Sequence, residues 1–300
     1  MRTYDEYKRM TEQRLNELFP APSAEFAQGE APALLLDAMR YSLMAGGKRL
    51  RPVMLLAACE LTGGDAAAAL DFACALEMIH TYSLIHDDLP GMDDDTLRRG
   101  KPTNHVVYGV GQAILAGDGL LTYAFEVMLK AAQRYPEKAH LCLSAMSDIA
   151  REAGVTGMVA GQCADLYCEK ERITDDKLLS YIHAGKTMAM FRGAVTAGAR
   201  LAGAAASELD ALEKYARAFG ILFQVTDDIL DVTAEADAFG KTKGKDAAQC
   251  KLTAVSAYSL EGAQLKALEL KNEALSALEG FGSDADFFRT LVTDMYERNH

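Results

Sequence analysis

Basic residues are in short supply: 31 Lys and Arg stand against 43 Asp and Glu, a formal net charge of −12. That sign disfavours nucleic acid as a partner, because phosphate binding depends on clustered cations. Long hydrophobic runs are also missing, and none approaches the ~20 apolar residues that cross a bilayer. The N-terminal MRTYDEYKRMTEQRLNELF is charged throughout and lacks the apolar core of a secretory leader. The six cysteines (Cys59, Cys74, Cys142, Cys163, Cys168, Cys250) form no C-x-x-C pair. Cys163 and Cys168 have no histidine near them to complete a zinc site. Free thiols in a reducing compartment follow, and a cytoplasmic enzyme is the expectation.

Proline is absent after Pro136, so 164 consecutive residues are free of it. Proline in a helix interior costs about 3 kcal/mol, and its absence permits long helices. Segments 33–43, 66–86, 111–134, 141–165, 177–200 and 207–232 are rich in Ala, Leu, Met and Glu, with apolar residues at three- and four-residue steps. Alternating strand-like runs and Asn-Gly hairpin turns are lacking. Thr174-Asp175-Asp176 and Ser207-Glu208 read as helix caps. Gly63-Gly64-Asp65 and residues 280–286 read as breaks between helices. With half its residues hydrophobic, a quarter charged and no linker or repeat, the chain is expected to be one all-α domain over residues 1–300.

Two acidic clusters carry the chemistry. The first, His86-Asp87-Asp88-Leu89-Pro90-Gly91-Met92-Asp93-Asp94-Asp95, follows the apolar run 73–85 and precedes Arg98-Arg99-Gly100-Lys101. A solvated loop is the plain reading of an acidic run. Here Pro90-Gly91 ends the helix and leaves Asp87 in its last turn, where the helix dipole disfavours a carboxylate and a bound cation would offset the repulsion. The second cluster is Gln224-Val225-Thr226-Asp227-Asp228-Ile229-Leu230-Asp231. At 100° per residue, Gln224, Asp227, Asp228 and Asp231 share one helix face within an arc of roughly 100°. Its apolar flanks require those carboxylates to be protonated, paired or metal-bound. Hard oxygen ligands without thiolate or imidazole suit Mg²⁺.

Matching cations occur elsewhere. Gly46-Gly47-Lys48-Arg49-Leu50-Arg51-Pro52 sets basic residues at a helix start, against the dipole, and Lys48 and Arg51 can turn toward one anion. His80 lies within about 20° of Asp87 on one helix face, although a lone histidine there also fits a core role. Lys186-Thr187 is a buried-looking cation beside a hydroxyl, and residues 240–246 form a basic loop without Walker A spacing.

GGKRLRP (46–52), EMIHTYSLIHDDLPGMDDDTLRRGKPTNH (77–105), AGDGLL (116–121), GQCADL (161–166), GKT (185–187) and FQVTDDILD with GKTKGKD (223–246) resemble the trans-polyprenyl diphosphate synthase family. Its bacterial farnesyl diphosphate synthase type is the nearest pattern. The resemblance implies an isoprenoid-synthase bundle of long helices around a central cavity, usually a homodimer, with the two acidic clusters facing each other. By motif match, Asp87, Asp88 and Asp93, and Asp227, Asp228 and Asp231, would bind three Mg²⁺ per active site. Arg98, Lys186, Thr187, Gln224 and Lys241 would hold the allylic diphosphate. Lys48, Arg51, His80 and Arg99 would hold isopentenyl diphosphate. The Lys186 carbonyl, Thr187 and Gln224 would stabilise an allylic cation.

The implied reaction condenses isopentenyl diphosphate with dimethylallyl and geranyl diphosphate to farnesyl diphosphate. Family practice places a chain-length residue five positions before the first aspartate, at Tyr82 with Ser83 beside it. An aromatic there, and two extra residues inside the first motif, match the fifteen-carbon type. Spacing alone sets Tyr82 about 140° from Asp87. The alternatives are a twenty-carbon (geranylgeranyl) synthase, a class I terpene cyclase, and a non-catalytic partner subunit. A cyclase would lack the second aspartate motif, and a partner subunit would have lost aspartates from one of them.

Overall fold

The computed structural model describes residues 1–20, 28–173, 175–233 and 252–298. Lys241, Cys250, Thr174 and the basic loop 240–246 lie outside the described residues. The chain is helical almost throughout: α1 (Tyr4–Leu18), α2 (Ala33–Leu43), α3 (Leu50–Leu61), α4 (Ala66–Asp87), α5 (Asn104–Tyr108), α6 (Val110–Arg134), α7 (Ala139–Ala153), α8 (Met158–Glu171), α9 (Asp176–Ile182), α10 (Ala189–Ala202), α11 (Ala206–Thr233), α12 (Ala254–Ala277) and α13 (Asp286–Glu297). It divides into two compact units, residues 2–56 with 65–146, and residues 57–64 with 147–300.

In the first unit α4 is the core helix. Phe72, Leu76, Met78 and Ile79 are all but inaccessible to water, each such side chain contributing about 1.5–3 kcal/mol of burial. Asp65 caps α4 by accepting from Ala67 N at 2.9 Å. Among the described residues α4 is the one helix long and apolar enough to cross a membrane, with mean hydropathy 1.2 over its best window. Asp71 and Glu77 interrupt its apolar run, and 72% of the window is buried as a core helix would be. Helix α6 runs beside α4. Gly117 allows the approach, since a Cβ there would sit 2.1 Å from His86 Nε2.

A two-residue antiparallel ladder, Leu97–Arg98 (β1) on Lys101–Pro102 (β2), was not expected from the sequence. Arg99 (φ 54°) and Gly100 (φ 74°) form its turn. Both central residues are left-handed, the pattern usually met by Asn-Gly, and here Arg-Gly supplies it.

The apolar stretch 141–165 is two helices, broken around Gly154 and Gly157, not one. The stretch 177–200 is α9, a π-helical segment over His183–Met188, then α10. Asp175 caps α9 by accepting from Lys177 N at 2.7 Å. Ser207 does not cap α11, which begins one residue earlier. Glu208 instead accepts the Ala205 backbone N–H at 2.7 Å. Phe191, Phe219, Phe223, Tyr215 and Phe288 meet, mostly edge-on or tilted, with ring centroids 5.1–5.8 Å apart and tie α10, α11 and α13 together. Among the described residues all five cysteines are free thiols, four of them buried.

Candidate active-site clusters

The first acidic cluster is built by the end of α4. Helix α4 stops at Asp87, with Asp88 as its cap, and Pro90-Gly91 turns the chain outward. The loop then folds back: Asp93 N donates to Asp87 O at 2.8 Å and Met92 N to Leu89 O at 2.8 Å. The two extra residues of the motif are taken up in this loop, so Asp93 returns beside Asp87. Asp88 is buried at 3% exposure and faces Arg98, whose Nε lies 2.9 Å from both carboxylate oxygens and whose Nη2 lies 2.6 Å from Oδ1. Burial raises the Asp88 carboxyl above its ordinary range, against the lowering by Arg98. Arg98 is thus engaged with Asp88, a pairing that the sequence reading, which gave Arg98 to a diphosphate and Asp88 to metal, did not include.

A cluster of cationic side chains forms in the same unit. The loop before α3 places Gly46, Gly47 and Arg49 at positive φ. Arg99 reaches back to the Gly46 carbonyl and packs over Gly47, whose φ of 128° lies in a region that side-chain-bearing residues rarely adopt. Tyr4 OH donates to the Lys48 carbonyl of this loop. Arg51 Nη1 lies 3.3 Å from His80 Nε2. Burial first, then the charges of Arg51, Arg99, Arg98 and Arg49, push the His80 imidazole well below its usual pKa. It is therefore neutral at pH 7, with Nε2 accepting from Arg51. Arg51 and Arg99 both lie close enough to His80 for their charges to act on it, while Lys48 is exposed on the loop before α3. Arg49, not singled out beforehand, is the buried anchor of this loop, donating to Glu77 at 2.8 Å and to the Leu43 carbonyl at 2.6 Å. Its position between two flagged cations was the only sequence signal.

Tyr82 is buried at 8% exposure and meets His86 edge-on, centroids 5.7 Å apart. Burial, and to a lesser extent the charge of Asp87, raise its phenol pKa. Ser83 Oγ donates to the His80 carbonyl at 2.8 Å, an intrahelical bond.

In the second unit the π-helical segment carries Lys186 and Thr187, and π turns recur at functional sites. It is held from two directions by glycine contacts. A Cβ on Gly161 of α8 would fall 2.1 Å from Lys186 N, and one on Gly220 of α11 would fall 2.6 Å from Met188 Cα. This close packing sets Asp165 of α8 against Lys186 Nζ at 2.6 Å. Asp165 is a partner that the sequence reading missed, although GQCADL contains it.

Helix α11 carries the second cluster. Thr187 Oγ1 donates to Gln224 Oε1 at 2.8 Å, and Gln224 Nε2 donates to Asp228 Oδ1 at 2.8 Å. Asp228 Oδ2 accepts the Ala254 backbone N–H at 2.7 Å, and His183 Nε2 lies 3.5 Å from it. Asp228 is 4% exposed with both oxygens engaged by protein groups, a pairing that the sequence reading did not include. Asp227 is more exposed and lies 3.5 Å from Arg298 Nη2, and Asp231 is half-buried.

Among the described residues no three carboxylate, imidazole or thiolate groups form a ready-made metal site. Mg²⁺ does not require one: it retains water and is commonly held by one or two carboxylates together with substrate phosphates. The pair Asp87 and Asp93, joined by the loop hydrogen bond, and the pair Asp227 and Asp231, one helical turn apart, are donor sets of that kind.

The chain is similar to several known proteins. Geranylgeranyl pyrophosphate synthase 9, chloroplastic, of Arabidopsis thaliana is 50% identical over 256 residues, covering 83% of this chain and 70% of that protein. The geranylgeranyl diphosphate synthase of Cyanophora paradoxa is 44% identical, covering 98% of this chain and 95% of its own. The apo crystal structure of an FPP/GFPP synthase from Zymomonas mobilis superposes with a TM-score of 0.85 at 34% identity, over 98% of this chain and 97% of that one, and shares the all-α isoprenoid-synthase fold. Residues 32–280 match the polyprenyl synthetase model, and with these likenesses they establish that the chain belongs to the polyprenyl synthetase family.

Proposed function

We propose that the chain is a Mg²⁺-dependent prenyltransferase that extends an allylic diphosphate with isopentenyl diphosphate to the twenty-carbon geranylgeranyl product. The observation that carries this reading is likeness over nearly the whole length to a geranylgeranyl diphosphate synthase, 98% of this chain against 95% of the relative. It favours the twenty-carbon alternative over the farnesyl product that the first motif suggested.

The residues serve the chemistry in a definite order. Lys48, Arg51, neutral His80 and Arg99 bind the diphosphate of the nucleophilic substrate. Asp87 and Asp93 would hold Mg²⁺, as would Asp227 and Asp231, and the ion would supply charge neutralisation for a departing diphosphate. Lys186, kept in place by Asp165, adds positive charge at the leaving group. Thr187 and Gln224 place oxygen dipoles at the developing allylic cation. Buried Phe191 and Phe219 help keep the neighbouring helix interface dry, and a carbocation survives only where water is excluded. We also propose a homodimer, supported by the exposed apolar residues Val106, Val107, Val110, Ile114 and Leu115 along α5 and α6.

A second reading, a fifteen-carbon product, is favoured by one observation: Tyr82 is a buried aromatic on the helix that carries Asp87. The test is incubation with isopentenyl diphosphate and dimethylallyl, geranyl or farnesyl diphosphate, with Mg²⁺ or chelator, and sizing of the dephosphorylated products. A metal-dependent twenty-carbon alcohol is expected. A fifteen-carbon end product that lengthens in Tyr82→Ala would establish the second reading, and no condensation with any starter would overturn both.

A further inference from the structure

The hydrogen bonds around Thr187 have a forced direction. An ionised carboxylate can only accept. Asp228 Oδ1 therefore faces the amide nitrogen of Gln224, at 2.8 Å. That choice turns the Gln224 amide oxygen to Thr187, and an amide oxygen also only accepts. Thr187 must donate its single hydroxyl proton to Gln224, which it does at 2.8 Å. With that proton committed, the Thr187 oxygen can offer nothing but lone pairs to any other group. The opposite polarity would leave a hydroxyl proton free to point at a cation, which it would repel.

The far end of this chain of bonds is fixed as firmly. Asp228 Oδ2 accepts from Ala254 N, the first residue of α12, at 2.7 Å. A carboxylate at a helix N-terminus is stabilised by the unpaired N–H groups there. Asp228 is 4% exposed and Thr187 7% exposed, so little water competes for these bonds.

We propose that Asp228 is a positioning residue: through Gln224 it holds Thr187 in the polarity that presents an oxygen lone pair to the allylic cation. The inference rests on the prenyltransferase reading above. It separates the two adjacent aspartates of α11, leaving Asp227 and Asp231 to the metal.

The test uses the full-length chain in steady-state condensation with Mg²⁺ titrated, alongside calorimetric Mg²⁺ binding in the presence of inorganic diphosphate. Asp228→Asn is expected to lower kcat about 10- to 100-fold, the usual cost of losing a group that orients a reacting one. The KM values and the Mg²⁺ dependence should stay close to wild type. Gln224→Glu alone opposes two carboxylates and should be worse. The double variant Gln224→Glu with Asp228→Asn restores the pattern. Its amide at position 228 donates to the new carboxylate at position 224 while the amide oxygen still accepts from Ala254 N, and that carboxylate accepts the Thr187 proton. It should regain most of the lost kcat, which a lost metal ligand or a general folding defect would not permit.

Weakened Mg²⁺ binding in Asp228→Asn at unchanged kcat would make it a ligand and overturn the inference. So would failure of a folded double variant to recover. Should Asp228→Asn not fold, Thr187→Ser and Thr187→Val decide: the serine variant keeps the polarity and most of kcat, whereas full activity in the valine variant overturns the proposal. A wild-type chain that condenses nothing overturns the functional reading and this inference with it, while an active wild type with an unaffected Asp228→Asn overturns the inference alone.

Discussion

The two acidic clusters begin with the same Asp-Asp pair and treat it alike in burial but not in chemistry. In each, the second aspartate is buried (Asp88 at 3% exposure, Asp228 at 4%) and the first is the more exposed. Asp88 is neutralised by a guanidinium, Arg98, as an ion pair. Asp228 is neutralised by dipoles: an amide, a backbone N–H and a nearby imidazole. The reason is location. Asp88 caps the C-terminus of α4, where carbonyls repel a carboxylate and a cation must be supplied. Asp228 lies within α11 and reaches the N-terminus of α12, which supplies the N–H groups. In these two clusters the leading aspartate pair thus supplies one more exposed carboxylate and one anchor.

The largest effect expected from that contrast is on turnover. Asp87→Ala and Asp227→Ala should each lower kcat by about 10³-fold, with thermal melts unchanged, because each removes charge-stabilising metal at the leaving group. Near-normal turnover in either would break the assignment of the first aspartate of each pair. An intermediate effect separates the anchors by stability. Asp88→Asn leaves Arg98 without its ionic acceptor and should cost about 1–3 kcal/mol in urea unfolding. An Asp88→Asn chain as stable as wild type would show that Arg98 is solvated and not held by the pair. The smallest effect is on pH. The His80 pKa is lower in the folded chain than its ordinary 6.5, so the unfolded chain takes up more protons as the medium is acidified. Its contribution is complete above about pH 6.5 and is lost as pH falls below it, down toward the depressed value. His80→Gln should flatten that part of the urea midpoint against pH, and an unchanged slope would place the titration elsewhere.

Much of this was legible in the sequence because it is local. Helix α2 occupies the residues that its periodicity marked, Gly63-Gly64-Asp65 breaks the chain before α4, Asp175 caps α9, and Pro90-Gly91 ends α4 where expected. Arg51, Arg99 and His80, which lie close together, could be picked out by their residue types and motif context. What escaped depends on approach between segments distant in sequence. The π turn over His183–Met188 fits between Gly161 and Gly220, contacts that no helical period encodes. Arg49 pairs with Glu77 across 28 residues, and Asp165 with Lys186 across 21. The hairpin turn escaped because Arg-Gly, not Asn-Gly, adopts its left-handed pair.

The sequence by itself determined the helical class and the carboxylate and cation inventory, since periodicity, breakers and residue chemistry are properties of short stretches. It also carried the family, through motifs kept in order along the chain. Only the tertiary structure decided which member of each aspartate pair is spent on the protein, and which way the Thr187 hydroxyl must point. Those outcomes depend on what donor lies opposite a buried oxygen, and a buried carboxylate takes its role from its neighbours in space.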